Sequence, residues 1–141
     1  MSLSNNEISL EHTNDKEHLF SSERYHREAI YNFEKTLIQK PKSIGALCDW
    51  IASYHELATI YGKQGAIEKA QKCLLIPHQS MLHMALYNGG DIEQKEIAMR
   101  AINVTLPALM SFANAHPPCK NCMKNLEAQL EMIQKHSRMD H

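Results

Sequence analysis

The sequence predicts an all-α protein of about five to six helices that pair as antiparallel hairpins. Apolar residues recur at three- and four-residue spacings through most of the chain, which is the spacing of one face of a helix. The composition includes eight Met, five Gly and five Pro but almost no Val, and this balance disfavours strands. Glycine or proline separates most of the apolar segments, so we expect short turns between the helices.

The length and charge of the chain limit the classes of protein to which it can belong. A chain of 141 residues is long enough for one domain with a real core, which we place at residues 7–136, between a disordered tail at 1–6 and a frayed tail at 137–141. The formal charge is −1, so no broad basic surface exists to neutralise phosphates, and we do not expect a nucleic acid partner.

Membrane insertion and secretion are not expected either. The longest apolar run, Cys73 to Pro77, is far too short to cross a bilayer, and no charged-then-apolar leader opens the sequence. Four Cys in a chain of this length do not form the pattern of a secreted disulfide framework. We therefore expect a soluble, cytoplasmic protein with reduced thiols.

The first forty residues are predicted to hold two helices. A weak helical pattern from Glu7 to Phe20 is diluted by polar residues. A stronger one runs from Glu23 to Lys40 and ends before Pro41, because the residue before a proline avoids the helical conformation.

The next helix and its turn are the most clearly marked part of the chain. Ser43 is placed to cap a helix from Ile44 to Tyr61, whose broad apolar face includes the only Trp, Trp50. A Trp side chain on the apolar face of a helix is expected to lie in the core. Gly62 and Gly65 then bracket a turn, where a glycine can take the left-handed conformation that ends a helix.

The return helix is predicted to run from Ala66 towards Tyr87 with a kink or break near Ile76, because Pro77 removes a backbone hydrogen bond and clashes with the preceding turn. The segment Asn88-Gly89-Gly90 is the clearest helix stop in the chain. Asp91 is the predicted N-cap of the helix that follows.

The last pair of helices is predicted at Ile92 to Ala115, again interrupted by a proline, Pro107, and at Cys119 to about His136. His116-Pro117-Pro118 separates them, because two prolines can open a helix but not continue one.

Large, small and turn residues follow a fixed spacing across the central hairpin. The positions concerned are Tyr54, Leu57, Ala58, Tyr61, Gly65, Ala70 and Leu74. They stand where a tetratricopeptide repeat has its Trp, its Leu–Gly pair, its Tyr, its turn glycine and the small and large residues of its second helix. The hairpin thus resembles this repeat, a helix–turn–helix unit of about 34 residues.

The neighbouring segments match the repeat only in part, which predicts an irregular repeat array. The upstream residues that have the spacing of a second helix and its terminal proline are Ala29, Phe33, Thr36 and Pro41. The pair formed by residues 92–115 and 119–136 fits the hairpin topology without the residue pattern.

The resemblance implies a non-enzymatic protein–protein interaction module, either an adaptor or a small chaperone. Such proteins present a groove lined by their first helices to a peptide or helix of a partner. The residues expected to line the groove here are His55, Thr59 and Gly62. His55 and Thr59 occupy positions where carboxylate-clamp members have Lys and Asn, so clamp-type binding is not expected.

A Cys-x-x-Cys segment offers an alternative chemistry. His116, Cys119 and Cys122 would supply three ligands of a zinc site that needs a fourth, or the two cysteines would form a redox pair at a helix N-terminus. The favoured interpretation is neither: Cys122 packs on the inner face of the last helix, and no metal or cofactor is bound.

Other chemistry is not favoured. Cys48, His78 and His83 would cluster in an antiparallel hairpin, but a buried histidine bonded to a backbone carbonyl is the preferred interpretation. No phosphate loop or nucleophile motif occurs, so no enzyme is predicted. Methionines on the proline-containing helices leave open a homodimer, for which ordinary core filling is the favoured alternative.

Overall fold

The computed structural model describes residues 2–87 and 89–139, with side chains for 17–87 and 89–135. Five helices follow one another: α1 (Ser2–Gln39), α2 (Ile44–Lys63), α3 (Ile67–Leu86), α4 (Ile92–Ala115) and α5 (Lys120–Met139). No strand occurs among the described residues. The prediction of an all-α protein with five to six helices is confirmed.

Helix α1 differs from the sequence prediction in its length. It runs without interruption from Ser2 to Gln39, where the sequence predicts two helices and no structure before residue 7. No Pro or Gly lies between residues 2 and 39, and polar residues of modest helix propensity cost only a few tenths of a kcal/mol each. Nothing local therefore ends the helix. At the other end, α5 includes residues 137–139, while Met1, Asp140 and His141 lie outside the described residues.

The predicted N-caps of α2 and α4 are confirmed. The hydroxyl of Ser43 accepts a hydrogen bond from the backbone N–H of Ala46 at 3.3 Å. The carboxylate of Asp91 accepts one from the N–H of Gln94 at 3.1 Å. Each cap satisfies a backbone donor that has no partner inside its own helix, which explains why these two helices begin where they do. Asn88, part of the predicted stop before Asp91, lies outside the described residues.

The turn between α2 and α3 depends on one of its two glycines. Gly65 has φ of 76°, the left-handed conformation, while Gly62 lies inside α2. The N–H of Gly65 donates to the carbonyl of Gly62 at 3.1 Å, and the N–H of Ala66 donates to that of Tyr61 at 2.9 Å. These two bonds form a Schellman motif, which ends α2 and turns the chain back into α3.

The two internal prolines do not break their helices. Helix α3 continues through Pro77 and α4 through Pro107, so of the kink or break predicted near Ile76 the break does not occur. Proline removes only one N–H donor, and the turns on either side keep their own bonds. Pro77 is fully buried, and the burial of its apolar ring offsets part of the cost of the lost bond.

The helices pack in chain order. Consecutive helices from α1 to α4 pack extensively against one another, whereas α5 contacts α4 more sparsely, and α2 also touches α4. Since short turns make α3 antiparallel to both α2 and α4, these two helices run in the same direction. Lys42, just before α2, bonds Asp91 at 3.0 Å and Glu93 at 3.1 Å and so holds the two helix starts together.

The core lies among α2, α3 and α4. The largest fully buried side chains are Met81, Ile102, Leu106, His78, Thr105 and Pro77. Trp50 is 7% exposed, which confirms its predicted place in the core, and its indole N–H donates to the carboxylate of Glu34 on α1 at 3.3 Å. Among the described residues, none of the helices has the length and hydrophobicity that a bilayer crossing requires.

Candidate functional site

A groove runs between α2 and α4, on the side where these two helices touch. We call it the α2/α4 groove. Its volume is about 500 Å³. The residues that line it are Ile44, Leu47, Cys48, Ile51, Ala52, His55 and Glu56 of α2, and Ile97, Arg100, Ala101 and Val104 of α4.

The wall of this groove is mostly apolar and partly exposed. Ile44 is 57% exposed and Val104 is 56% exposed, although both are large aliphatic residues. The lining residues of each helix follow helical spacing, so each helix contributes one continuous face. The charged members are Glu56 on α2 and Arg100 on α4, one of each sign.

His55 is the predicted groove residue that the structure does place in the α2/α4 groove. Its side chain is half-buried, and its Nε2 atom is buried with no hydrogen-bond partner among the described residues. Burial lowers the pKa of His55, because the charged imidazolium loses hydration. The ring is therefore neutral at physiological pH, with one nitrogen unsatisfied.

The other two predicted groove residues, Thr59 and Gly62, lie elsewhere on α2. Thr59 is exposed, and its hydroxyl donates to the backbone carbonyl of His55 at 3.1 Å. Gly62 is exposed in the last turn of the helix, with open space where a side chain would be. Neither residue lines the α2/α4 groove.

Sequence reasoning missed the α4 side of the groove. Ile97 and Ala101 stand four residues apart in an apolar stripe of the predicted helix Ile92 to Ala115, a spacing that favours the core, and both are half-buried at the groove wall instead. The available signal was Val104, which continues that stripe three residues beyond Ala101. An apolar stripe wider than one packing partner can cover indicates a second contact surface.

A second groove of about 420 Å³ lies between α1 and α3 and has a different character. Arg27, Lys69 and Lys72 contribute positive charge to its lining. Arg27 is already engaged, since its guanidinium donates to the Tyr61 hydroxyl, which in turn donates to Glu23 at 2.8 Å. This network fastens α1 to α2.

The Cys-x-x-Cys pair stands at the start of α5. The two sulfur atoms of Cys119 and Cys122 are 2.8 Å apart, and both side chains are exposed. The backbone N–H of Cys122 also points to the sulfur of Cys119, at 3.4 Å. The side-chain hydrogen bond with Cys122 first, and the backbone N–H bond second, lower the pKa of Cys119. The pKa of Cys122 is raised, chiefly by the same side-chain hydrogen bond with Cys119.

The prediction that Cys122 packs on the inner face of α5 is therefore wrong. Leu126, Leu130 and Ile133, farther along the same helix, do pack against the core. Cys122 lies one turn before this stripe, where the sparse contact between α5 and α4 leaves it uncovered.

The three residues of the alternative zinc site are not gathered around one point. His116 packs its ring on Phe112, with centroids 4.9 Å apart. Within the described part of the chain, no three His, Cys, Asp or Glu side chains converge where they could hold a metal ion.

His78 is a buried polar residue with an identifiable role. Its Nδ1 lies 2.9 Å from the Thr105 hydroxyl of α4, and its Nε2 lies 2.7 Å from the Gln129 side-chain oxygen of α5. A neutral ring with its proton on Nε2 donates to Gln129 and accepts from Thr105. Burial lowers the pKa of His78, while the bond to Gln129 raises it by less.

This arrangement corrects the predictions made for His78. Its partners are side chains rather than a backbone carbonyl. His83 stacks on Tyr87, and Cys48 lies in the α2/α4 groove, so the alternative cluster of Cys48, His78 and His83 does not form.

Together these features define an all-α protein of successive helical hairpins, with an apolar groove between two parallel helices and an exposed pair of thiols on the last helix. The chain belongs to a family described as proteins of unknown function, DUF2753, whose model matches residues 9–140. No curated protein and no solved structure matches the chain.

Proposed function

We propose that this protein is a non-enzymatic protein–protein interaction module, an adaptor or a small chaperone, whose α2/α4 groove receives an amphipathic helix of a partner protein. The observation that carries the proposal is the exposed apolar lining of this groove. A soluble protein gains nothing from large aliphatic side chains in contact with water, whereas a partner that covers them contributes about 25 cal/mol for each Å² of apolar surface buried.

The order of the helix contacts supports a likeness to tetratricopeptide repeats. In that arrangement α2 and α3 are the first and second helices of one unit, and α4 and α5 those of the next. Helices α2 and α4 touch each other, whereas α1 and α3 do not within the part of the chain that is described. Proteins built this way bind partners on the face formed by their first helices. The α2/α4 groove lies on that face.

The length of the groove suits a short helix. From Ile44 to Glu56 the α2 wall advances twelve residues, or about 18 Å at 1.5 Å per residue, which matches a partner helix of about three turns. Its apolar residues would recur at i, i+3 or i+4, and i+7. Glu56 and Arg100 would set the direction of that helix through charges of opposite sign.

A cytoplasmic location belongs to the same proposal. All four cysteines are free, which fits a reducing compartment.

The test begins with a library of helical peptides whose solvent-facing residues are varied, from which the peptides that bind the protein are selected. Fluorescence anisotropy then measures the Kd of selected peptides for the protein and for Val104→Asp. We expect helical apolar spacing in the selected peptides and at least about tenfold weaker binding by the variant, since a carboxylate in the groove would be desolvated without a partner. Ile38→Asp is the matched control, because Ile38 is 80% exposed on α1, away from the groove.

Two results would contradict the proposal. In one, Val104→Asp and Ile38→Asp bind the selected peptides with equal affinity. In the other, sedimentation shows a stable dimer that Val104→Asp dissociates, which would make a second copy of the chain the occupant of the groove.

A further inference from the structure

The cysteine pair on α5 is the part of the molecule whose chemistry the α2/α4 groove does not explain. Cys119 is the residue just before α5, and Cys122 is in its first turn. The sulfur of Cys119 occupies the position where an N-cap oxygen normally lies, accepting from the N–H three residues on. The Cys119 thiol in turn donates to the sulfur of Cys122 at 2.8 Å. Once Cys119 has lost its proton, both the N–H and the thiol of Cys122 can donate to it and stabilise negative charge on this one sulfur atom.

We propose that Cys119 and Cys122 form a thiol–disulfide exchange site whose substrate is a low-molecular-weight disulfide of the glutathione type. This inference is independent of the interaction module proposed above. It assigns a nucleophile, Cys119, and a resolving thiol, Cys122.

The reaction proceeds in two balanced steps. The Cys119 thiolate attacks one sulfur of the disulfide, forms a mixed disulfide, and releases the other half as a thiolate that takes up a proton. The Cys122 thiol gives its proton to solvent, attacks the Cys119 sulfur, and expels the second half, which is protonated in turn. The protein loses two protons and two electrons, and one small disulfide becomes two small thiols.

The geometry allows the second step without unfolding. A disulfide needs sulfur atoms about 2.05 Å apart, and the two sulfurs are already in hydrogen-bond contact. The carbonyl of Cys119 accepts from the N–H of Met123 at 3.1 Å, so rotation of the two side chains, rather than of the backbone, closes the remaining distance while α5 keeps its first hydrogen bond. Both thiols are exposed, so a small disulfide reaches them without any opening of the core.

The assignment of Cys119 as nucleophile rests on its position at the N-terminus of α5. The side-chain hydrogen bond with Cys122, and the backbone N–H of Cys122 that points to the sulfur of Cys119, stabilise the Cys119 thiolate, and its pKa is lowered accordingly. Once Cys119 is in a mixed disulfide it carries no negative charge, and the main cause of the raised pKa of Cys122 disappears. The resolving thiol is then released for the second step.

The chain contains its own controls. Cys48 is exposed but has no second cysteine beside it in the α2/α4 groove, and Cys73 is buried, which raises its pKa. Cys48 therefore reports the reactivity of an ordinary exposed thiol, and Cys73 that of a protected one.

The experiment incubates the full reduced chain with mixtures of reduced and oxidised glutathione, followed by acid quenching and peptide mass mapping. We expect a Cys119–Cys122 disulfide, identified by the loss of two hydrogen atoms, which reduced glutathione reverses. Cys48 should give only a mixed disulfide. Brief alkylation at neutral pH should modify Cys119 at least about fivefold faster than Cys48.

Two variants separate the roles, and circular dichroism confirms their folding. Cys122→Ser should stop at the mixed disulfide on Cys119, and Cys119→Ser should lose the fast reaction. Equal alkylation rates for Cys119 and Cys48, or mixed disulfides without an internal disulfide, would overturn the proposal. Stoichiometric zinc that protects both thiols in the native protein would also overturn it.

Discussion

Replacing the two glycines of the α2–α3 turn by alanine should change stability in opposite directions. At both positions a new Cβ meets no atom within 4 Å, so steric clash contributes to neither variant. Gly65 has φ of 76°, where a non-glycine residue costs about 1–2 kcal/mol. Alanine also stiffens the unfolded chain, which offsets about 0.4–1 kcal/mol of that cost. We therefore expect Gly65→Ala to lower the free energy of unfolding by about 1 kcal/mol.

Gly62 is the matched control because it lies inside α2, in ordinary helical conformation. Alanine there should raise the free energy of unfolding by about 0.5–1 kcal/mol. The two variants should differ by roughly 1.5–2 kcal/mol, a separation of about 5 °C in Tm for a chain of this size. A third variant, Gly65→Asn, should fall between Gly65→Ala and the parent, since Asn tolerates the left-handed conformation better than Ala.

The assay is urea and thermal unfolding followed by far-UV circular dichroism, with a check that the slope against urea stays constant. Stabilisation by Gly65→Ala, or equal shifts for both alanine variants, would refute the reasoning that the turn depends on the conformation of Gly65.

Two further predictions concern stability. The free energy of unfolding should decline as the pH falls below about 6.5, because the unfolded state then binds a proton that buried His78 takes up only at lower pH, and His55 adds to the effect in the same direction. Urea unfolding at about pH 7.5 and 5.5 measures this decline, and His78→Gln should make it smaller. If the free energy of unfolding falls as much with pH in His78→Gln as in the parent, the decline does not come from His78. Asp91→Ala should cost about 1 kcal/mol, because it removes the N-cap of α4, and a loss abolished by high salt would instead assign the effect to the ion pair with Lys42.

The helix limits that follow from short-range chemistry could be predicted from the sequence. Ser43 and Asp91 act within three residues of themselves, and Gly65 acts within its own turn. The same local reasoning marked Trp50 as a core residue, because its position in the apolar stripe of α2 is a matter of helical phase. Such features need no knowledge of which helix packs where.

The internal prolines show where local reasoning failed. Pro77 predicts a break when α3 is considered alone, but the helix is held between α2 and α4, and the burial of this region compensates for one missing hydrogen bond. The partners of His78 likewise come from α4 and α5, 27 and 51 residues away. No pattern within α3 indicates them.

The sequence by itself determined that the chain is helical, where its central hairpin turns, and that two cysteines lie one helical turn apart. Only the tertiary structure decided which apolar faces stay uncovered. Val104 and Cys122 both sit in patterns typical of buried positions, yet both are exposed. The physical reason is that a side chain is buried only where a second surface covers it. Where α4 packs beside α2, the face of α4 that carries Val104 has no neighbour, and the sparse contact between α5 and α4 leaves Cys122 uncovered.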